Sequence, residues 1–436
     1  MRRKPAGPPF EARIEDLSQD GRGVARVAGK TVFVEGALPG EVVKAVLLRQ
    51  RRSHDEARLV AVVSASPERV APRCPHFGAC GGCTLQHLSG AAQLAAKERG
   101  LFDALGRIGR VLPARRYAPL TGPAWHYRRR ARLGVRYVNS KDRVLVGFRE
   151  RHNPGIAEMD SCEVLAGGLG GLLAPLATLI GSLSIVRRLP QIEVAVGDDR
   201  TALVFRVLDP PTGEDLAALR AFGRERGVDV WLQPGGPASA HPLDEASPPV
   251  YRLPSQGLEI GFLPTDFVQV NGPMNAAMVA RALELLAPEP GERVLDLFCG
   301  LGNFSLALAR AGARVCGIEG DQALVERAAA NARRNGLEAE FHLADLFQDC
   351  NALRWARQPC DRLLLDPPRA GAEASLALLE TLAPRRVLYV SCHPGTLARD
   401  AGILVHQFGY RFSGAGVMDM FPHTTHVESI AVFDRP

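Results

Sequence analysis

Between Phe10 and Ser66 apolar and polar residues alternate in short runs: FEARIEDL, GVARVAG, KTVFVEG, EVVKAVLL and ARLVAVVSA. A period of two turns one side of each run toward a core and the other toward water. The turn signals QDGRG, VAGK and ALPGE separate the runs, so the pattern predicts five short strands closing into a small OB-like barrel. Arg49, Arg51, Arg52 and His54 fall between the last two predicted strands, where such a barrel can grip nucleic acid. Farther on, AAQLAAKERGLFDALGRI (91–108) reads as one helix. Val164 to Val186 carries no charge and is long enough to span a bilayer. Its large residues, Leu165, Leu169, Leu172, Leu173, Leu176, Leu179, Ile180 and Leu183, nevertheless form a stripe at helical spacing. Lipid on all sides would need no stripe, so a helix packed on a sheet is predicted and no membrane partner.

Residues 125–232 alternate strand and helix patterns, and QPGGPASAHPLDEASPPVYR (233–252) reads as a loop or linker. From 266 onward the period switches to βαβ. NGPMNAAMVARALELLA opens with a capping Asn271 and has Pro273 in its first turn. Strands are predicted at RVLDLF, ARVCGIE, AEFHLA, DRLLLD, RRVLYVS and ESIAVF. The fold class is therefore α/β and multidomain. It comprises a barrel at 1–67, a central α+β domain at 68–265, and a doubly wound Rossmann-like domain at 266–436 that binds ligands at the carboxyl ends of its strands. No internal repeat stands out.

Hydrophobic content of 46% and charged content of 23% are ordinary for a globular chain. The charge is unevenly placed. Residues 1–151 hold 29 Lys+Arg against 13 Asp+Glu, and the rest hold 24 against 34, which points to a polyanion bound by the first third. The start, MRRKPAGPPF, is basic without an apolar stretch and reads as a tail rather than a secretory signal. Nine cysteines without such a signal argue for metal binding or catalysis in a cytoplasmic protein rather than for disulfides.

RVLDLFCGLGNFSLALA (293–309) is a strand, a Gly-rich turn and a helix, lacking the third glycine of a dinucleotide site and any P-loop lysine. The next strand ends in Glu319, suited to a ribose diol, and the one after leads to Asp345 at adenine distance. With Asp296 ending the first strand, the set resembles class I methyltransferases that bind S-adenosyl-L-methionine. LLLDPPRAG places Asp366 at a strand end before a stiff Pro-Pro turn. Arg369 stands where amine methyltransferases carry an aromatic, which disfavours amine chemistry.

LYVSCHPGTLARD puts Cys392 directly after another predicted strand. Carbon 5 of uracil is too electron-poor to take a methyl group unaided. A thiolate adding to carbon 6 makes carbon 5 nucleophilic, and a carboxylate then removes its proton so that the enzyme is released. MDMFPHTTHVESIAVF offers His423, His426 and Glu428 beside the last strand, and the two histidines suit RNA contact or local hydrogen bonding. Cys299, Cys316, Cys350 and Cys360 read as structural. A cysteine-rich loop, CPHFGACGGCTLQHL, supplies Cys74, Cys80 and Cys83, and MDSCEVL supplies Cys162. Four thiolates suit zinc or an iron–sulfur cluster equally well. WHYRRRARLGVRY interleaves aromatics with Arg128, Arg129, Arg130, Arg132 and Arg136, a pattern for unpaired bases and phosphates.

The pieces DFVQVN, LDLFCGLGNFSL, GIEGD, DPPRAG, YVSCHPGTLARD and MDMFPHTTHVES closely resemble the RNA (uracil-5-)-methyltransferase family. That resemblance implies Cys392 as nucleophile and Glu428 as base, with Gln269, Phe298, Asn303, Glu319, Asp345 and Asp366 lining the cofactor site. It also implies a [4Fe-4S] cluster on Cys74, Cys80, Cys83 and Cys162. The barrel resembles the TRAM domain of RNA-modifying enzymes. A chain with both barrel and cysteine loop is similar to the members acting on 23S rRNA, so a monomer that takes a flipped uridine from a loop or bulge is expected. Two alternatives remain at this level. One is a cytosine-C5 RNA methyltransferase, disfavoured because no cysteine follows Pro368; the other is a non-catalytic iron–sulfur RNA-binding protein.

Overall fold

A computed structural model describes residues 7–436; the first six residues of the expected basic tail lie outside them. Two compact units are formed. One holds the chain up to Gly100 together with Gly147–Met159 and Pro422–Thr425; the other holds Leu101–Val146, Asp160–Phe421 and His426–Pro436.

In the first unit, β1 (Phe10–Leu17), β2 (Gly23–Val27), β3 (Lys30–Glu35), β4 (Val42–Gln50) and β5 (His54–Ser64) close a barrel in the order β1-β2-β3-β5-β4. Alternate residues fill it: Ala12, Ile14, Ala25, Val32, Val34, Val43 and Ala45 are all buried. The last two strands run longer than the hydrophobic pattern predicts. Arg49 lies in β4 in register with Glu56, whose carboxylate is 3.5 Å from Arg51 Nε, and His54 opens β5. Only Arg51–Ser53 remains as the turn.

Buried Glu41 fixes the barrel's exit. Its carboxylate accepts from Arg69 Nε (2.5 Å) and from the backbone of Leu38 (2.8 Å). Burial raises its proton affinity, but these donors outweigh that and hold it below the usual carboxylate range.

The second unit contains two larger sheets and a two-stranded one. The two-residue strand β6 (Arg115–Arg116) precedes β7 (Arg130–Val138) and β8 (Arg143–Gly147). With β9 (Gln191–Val196), β10 (Thr201–Arg206), β11 (Asp229–Gln233) and β12 (His241–Pro242), the latter two form a sheet ordered β12-β11-β10-β9-β7-β8. Along β7, Ala131, Leu133 and Val135 are buried while Arg132 and Arg136 face outward. Arg129 pairs with Asp198 (2.5 Å), and Arg130 (3.2 Å) and outward-facing Arg132 (3.1 Å) both pair with Glu193, so three arginines of the basic segment meet acids within the fold.

The helix expected over 164–186 is shorter: a 3-10 turn at Leu169–Leu172 leads into an α-helix at Leu173–Ser182. Gly167 and Gly168, just before that turn, are left-handed (φ +63 and +74), which keeps regular helix from beginning earlier. The stripe itself is real, since Leu165, Leu169, Leu173, Leu176, Ile180 and Leu183 are buried. Among the described residues no helix is long and apolar enough to cross a membrane. The segment read as a linker at 233–252 also carries structure. It contains β12, paired with Trp231 and Leu232, and the start of β13 (Val250–Leu253), which pairs with β14 (Leu258–Gly261).

The C-terminal sheet is formed by β15 (Arg293–Leu297), β16 (Arg314–Glu319), β17 (Glu340–Leu343), β18 (Arg362–Leu365), β19 (Arg386–Ser391), β20 (Arg411–Met418) and β21 (Glu428–Asp434). With β6 at one edge, its order is β17-β16-β15-β18-β19-β21-β20-β6. Strands β15 to β19 are parallel, and β21 is inserted antiparallel between β19 and β20. Residue pattern does not predict β20, because its centre is Ser-Gly-Ala-Gly. Gly414 and Gly416 leave room for Tyr117, whose ring would lie 2.3 Å from a Cβ at 414.

Candidate active site

Four of the six expected cofactor residues and the expected nucleophile stand at or just past the carboxyl ends of neighbouring parallel strands. Phe298 follows β15, Glu319 ends β16, Asp345 lies two residues past β17, Asp366 directly follows β18 and Cys392 directly follows β19. The strand order reverses between β15 and β18, which opens a crevice at these ends. Phe298 has φ +66 and Gly300 and Gly302 are also left-handed, so the turn after β15 exposes backbone rather than side chain. Glu319 Oε2 accepts from Gly300 N (2.9 Å), tying the glycine turn to the next strand. Phe298 and Phe347 rings lie 5.7 Å apart beside Asp345, whose Oδ1 accepts from Phe347 N (3.0 Å).

Buried Asp296 receives a 2.5 Å hydrogen bond from Ser305 Oγ, while its other oxygen has no hydrogen-bond partner. Burial pushes its carboxyl up to about 7. An unsatisfied buried carboxylate oxygen, a ribose-type acid and a bare glycine turn suit a nucleoside with a cationic amino-acid tail. Gln269 is half-buried in a small crevice with Tyr251, Asn275 and Arg129. The Asn303 side chain forms a reciprocal amide pair with Asn275 (2.9 Å each way) and accepts from Tyr251 OH (3.0 Å). Its amide is therefore engaged in holding the helix Gly272–Leu286.

The reacting groups gather where β19, β18 and β21 end or begin. Cys392 is half-buried. Burial pushes its thiol above the ordinary range, Glu428 and Asp366 push it further, and Arg369 opposes them. Glu428, the first residue of β21, is 4% exposed, and its carboxyl is driven well above the usual range by burial and then by Asp366. Asp366 is pushed up to about 7 by burial and by Asp296. Acids with raised proton affinity beside a thiol are suited to moving protons near neutral pH.

Two supporting contacts were not legible in the sequence. Arg369 Nη2 lies 3.1 Å from His426 Nδ1; a guanidinium only donates, so this nitrogen of His426 is the acceptor. Fully buried Asp400 clamps the loop carrying Asp366 and Arg369. Its Oδ2 accepts from Tyr389 OH (2.6 Å) and Ala372 N (2.8 Å), and its Oδ1 from Arg399 Nε (2.8 Å). Gly371, at φ +81, has no room for a side chain, since a Cβ would sit 2.6 Å from Arg399 and 2.7 Å from Asp400. The visible signal is the Arg-Asp pair closing TLARD, an acid inside an otherwise apolar helix.

The cysteines of the expected cluster are described unit by unit. In the first unit, Cys74, Cys80 and Cys83 lie on a loop held by Gly81 N to Arg149 O and Arg151 N to Ala79 O, both 2.9 Å. Cys80 Sγ accepts from Gly82 N at 3.3 Å. His87 is 3% exposed with neither ring nitrogen hydrogen-bonded, and its pKa is lowered to about 4 by burial and by nearby Arg69 and Arg151. His423, in the same unit, is buried; its backbone N–H donates to Gln93 Oε1 (2.9 Å) and its Nδ1 lies 3.4 Å from Gln93 Nε2. In the second unit, Cys162 is buried and its N–H binds Gly170 O. Elsewhere in that unit, donor atoms of Cys316, Glu340 and His342 lie within 4.8 Å of one another. Burial pushes the Cys316 thiol up to about 11, and Arg293, Arg314 and Arg354 line the same cavity, so it is a poor host for a cation.

The fold and the strand-end residues define a class I, S-adenosylmethionine-dependent methyltransferase domain. The family description tRNA (Uracil-5-)-methyltransferase matches residues 253–435, and the TRAM domain matches 7–54. The chain is 55% identical over 97% of its length to the 23S rRNA (uracil(1939)-C(5))-methyltransferase RlmD of Aromatoleum aromaticum, covering 99% of that protein. It is 54% identical over its whole length to the protein of the same name from Alkalilimnicola ehrlichii, covering 98% of it. The chain belongs to this family of 23S rRNA uracil-C5 methyltransferases. A solved structure, the Pyrococcus abyssi tRNA (uracil-54, C5)-methyltransferase in complex with S-adenosyl-L-homocysteine, has the same fold: TM-score 0.74 at 24% identity, covering 97% of this chain and 100% of that one.

Proposed function

We propose that this enzyme methylates carbon 5 of uridine 1939 in 23S rRNA, the position printed in its relatives' names, through a transient bond between Cys392 Sγ and carbon 6 of the base. The observation that carries this reading is the meeting of Cys392, Glu428 and Asp366 at the ends of three adjacent strands. S-adenosylmethionine supplies an electrophilic methyl group. Asp296, Phe298, Glu319 and Asp345 line its site, with Gln269, Asn303 and Asp366 completing the wall. Cys392 reacts as its thiolate, its proton lost to solvent beforehand; its addition to carbon 6 makes carbon 5 nucleophilic, and carbon 5 takes the methyl group as the sulfonium S–CH3 bond breaks and leaves the neutral thioether. After methylation Glu428 takes the carbon-5 proton, and the electron pair of that C–H bond expels the sulfur. Arg369 favours the ionised forms of both groups.

A uridine must leave its stack to reach a half-buried sulfur, so the target is a flipped base. The cysteine pattern shared with the family supports a [4Fe-4S] cluster on Cys74, Cys80, Cys83 and Cys162. Its presence would make the protein brown. We assign the enzyme to the cytoplasm, acting as a monomer. Mass mapping of 23S rRNA from cells lacking the gene tests the target: loss of one methyl group at uridine 1939 is expected, and an unchanged map overturns the reading.

A further inference from the structure

We infer that an arginine strip formed by Arg110, Arg115 and Arg116 is a second RNA-binding surface, which takes the single-stranded segment flanking the flipped uridine. The inference rests on the function proposed above and extends it to the substrate's neighbouring nucleotides. The strip belongs to a closely packed part of the second unit. A π-helical turn, Leu105–Gly109, lies flush along the helix Pro394–His406 that follows Cys392. Gly109 makes the closest approach, since a Cβ there would sit 2.2 Å from the Ala398 carbonyl oxygen, and His406 Nε2 binds Gly109 O at 3.2 Å. At the start of the same helix, Ile108 comes within 3.9 Å of the Cβ position of Gly395, three residues from Cys392. The chain then runs beside β20, with Ala114 N bound to Phe412 O and Tyr117 N to Ala415 O, and forms β6 at the sheet edge.

All three arginines are exposed, and among the described residues none has a carboxylate partner. That contrasts with Arg129 and Arg130, which acids neutralise. Arg116 stacks its guanidinium 4.2 Å above Phe102, and Arg115 lies 5.9 Å from the Tyr117 ring. Such stacking fixes a guanidinium plane while leaving its donors free for phosphate and its outer face free for a base. Two exposed apolar side chains, Ile108 (54%) and Leu112 (62%), sit between and beside these charges. Apolar and arginine surface together fit unpaired nucleotides better than a duplex or a protein acid patch.

The reach also fits. Arg116 pairs at the level of Ala415, Ala431 and Tyr389, three strands across and three residues back from Cys392. At strand and residue spacings of ~4.8 and ~3.3 Å, that is roughly 17 Å from the sulfur, a few nucleotides along the strand.

The test compares wild type with the triple variant Arg110→Gln, Arg115→Gln, Arg116→Gln on an rRNA fragment that carries the target loop and both flanks. The expected result is a KM for RNA raised on the order of tenfold and a salt dependence of log affinity shallower by about two. At saturating RNA, kcat should be unchanged, and so should S-adenosylmethionine binding. The Arg115→Lys, Arg116→Lys variant keeps the phosphate charge and should retain the salt slope while losing the stacked plane. An unchanged KM and slope in the triple variant overturns the inference. A wild-type enzyme that leaves the fragment unmethylated would instead count against the function proposed above.

Discussion

Ser429 Oγ donates a 3.1 Å hydrogen bond to the carbonyl of Ser391, and the two residues are paired across antiparallel β21 and β19. One step outward on each strand stand Glu428 and Cys392. The candidate base and nucleophile are thus set in register by the sheet itself, and both serines are buried. Replacing Ser429 with Ala removes one buried bond worth about 1 kcal/mol and leaves the strands paired. The expected outcome is a kcat reduced several-fold with little change in KM, measured by steady-state methyl transfer.

Removing the carboxylate should separate the two halves of the reaction. Glu428→Gln can still present Cys392 to the ring but cannot take the carbon-5 proton. An enzyme–RNA adduct should accumulate on a denaturing gel, and turnover should fall by about 10²–10⁴. Turnover at the wild-type rate without adduct would exclude Glu428 as the base.

The thiol of Cys392 and the carboxyls of Asp366 and Glu428 are all shifted upward, so the ionised forms the reaction needs are populated only as pH rises. The kcat/KM should therefore climb through pH 6–8 rather than peak in mild acid, as a pH–rate profile would show.

The same shift has a stability consequence. Asp366 moves from 3.8 to about 7 on folding, so the folded state binds its proton more tightly than the unfolded state does. That contribution is full below pH 3.8 and is lost as pH rises to about 7. Asp366→Asn should gain thermal stability over wild type at pH 8, and the gain should shrink toward pH 4, read as the difference in Tm across a pH series.

Asp400 offers a test of the loop clamp. Asp400→Ala leaves the Ala372 N–H and the Tyr389 hydroxyl without their shared acceptor inside the protein, at a cost of about 1–3 kcal/mol. Because the loop carries Asp366 and Arg369, kcat should fall beyond what lost stability explains when assayed well below the melting temperature.

Much of this was legible in the residues. Period-two alternation marks the barrel, and the βαβ rhythm from residue 266 places Glu319, Asp366 and Cys392 at strand ends. What escaped has physical reasons. Strand β20 hides because Gly414 and Gly416 are kept small for Tyr117, a contact no periodicity encodes. The extension of β4 and β5 places the polar residues Arg49 and Gln50 opposite Glu56 and Asp55, a stretch that reads as loop. The arginines at 128–136 look alike in sequence, yet Glu193 and Asp198, more than sixty residues away, pair with Arg129, Arg130 and Arg132. At the active site, the Arg369–His426 contact and the Asp400 clamp join distant segments and could be read only after folding.

The central claim is that sulfur at position 392 bonds transiently to the uracil ring. The most direct measurement incubates wild-type enzyme, S-adenosylmethionine and 5-fluorouridine-containing target RNA, then determines the mass of the peptide carrying Cys392. A methylated fluorouridine attached to that cysteine is predicted, because fluorine cannot be removed as a proton, and Cys392→Ala should form neither this adduct nor 5-methyluridine on normal RNA. Undiminished 5-methyluridine formation by Cys392→Ala would contradict the account.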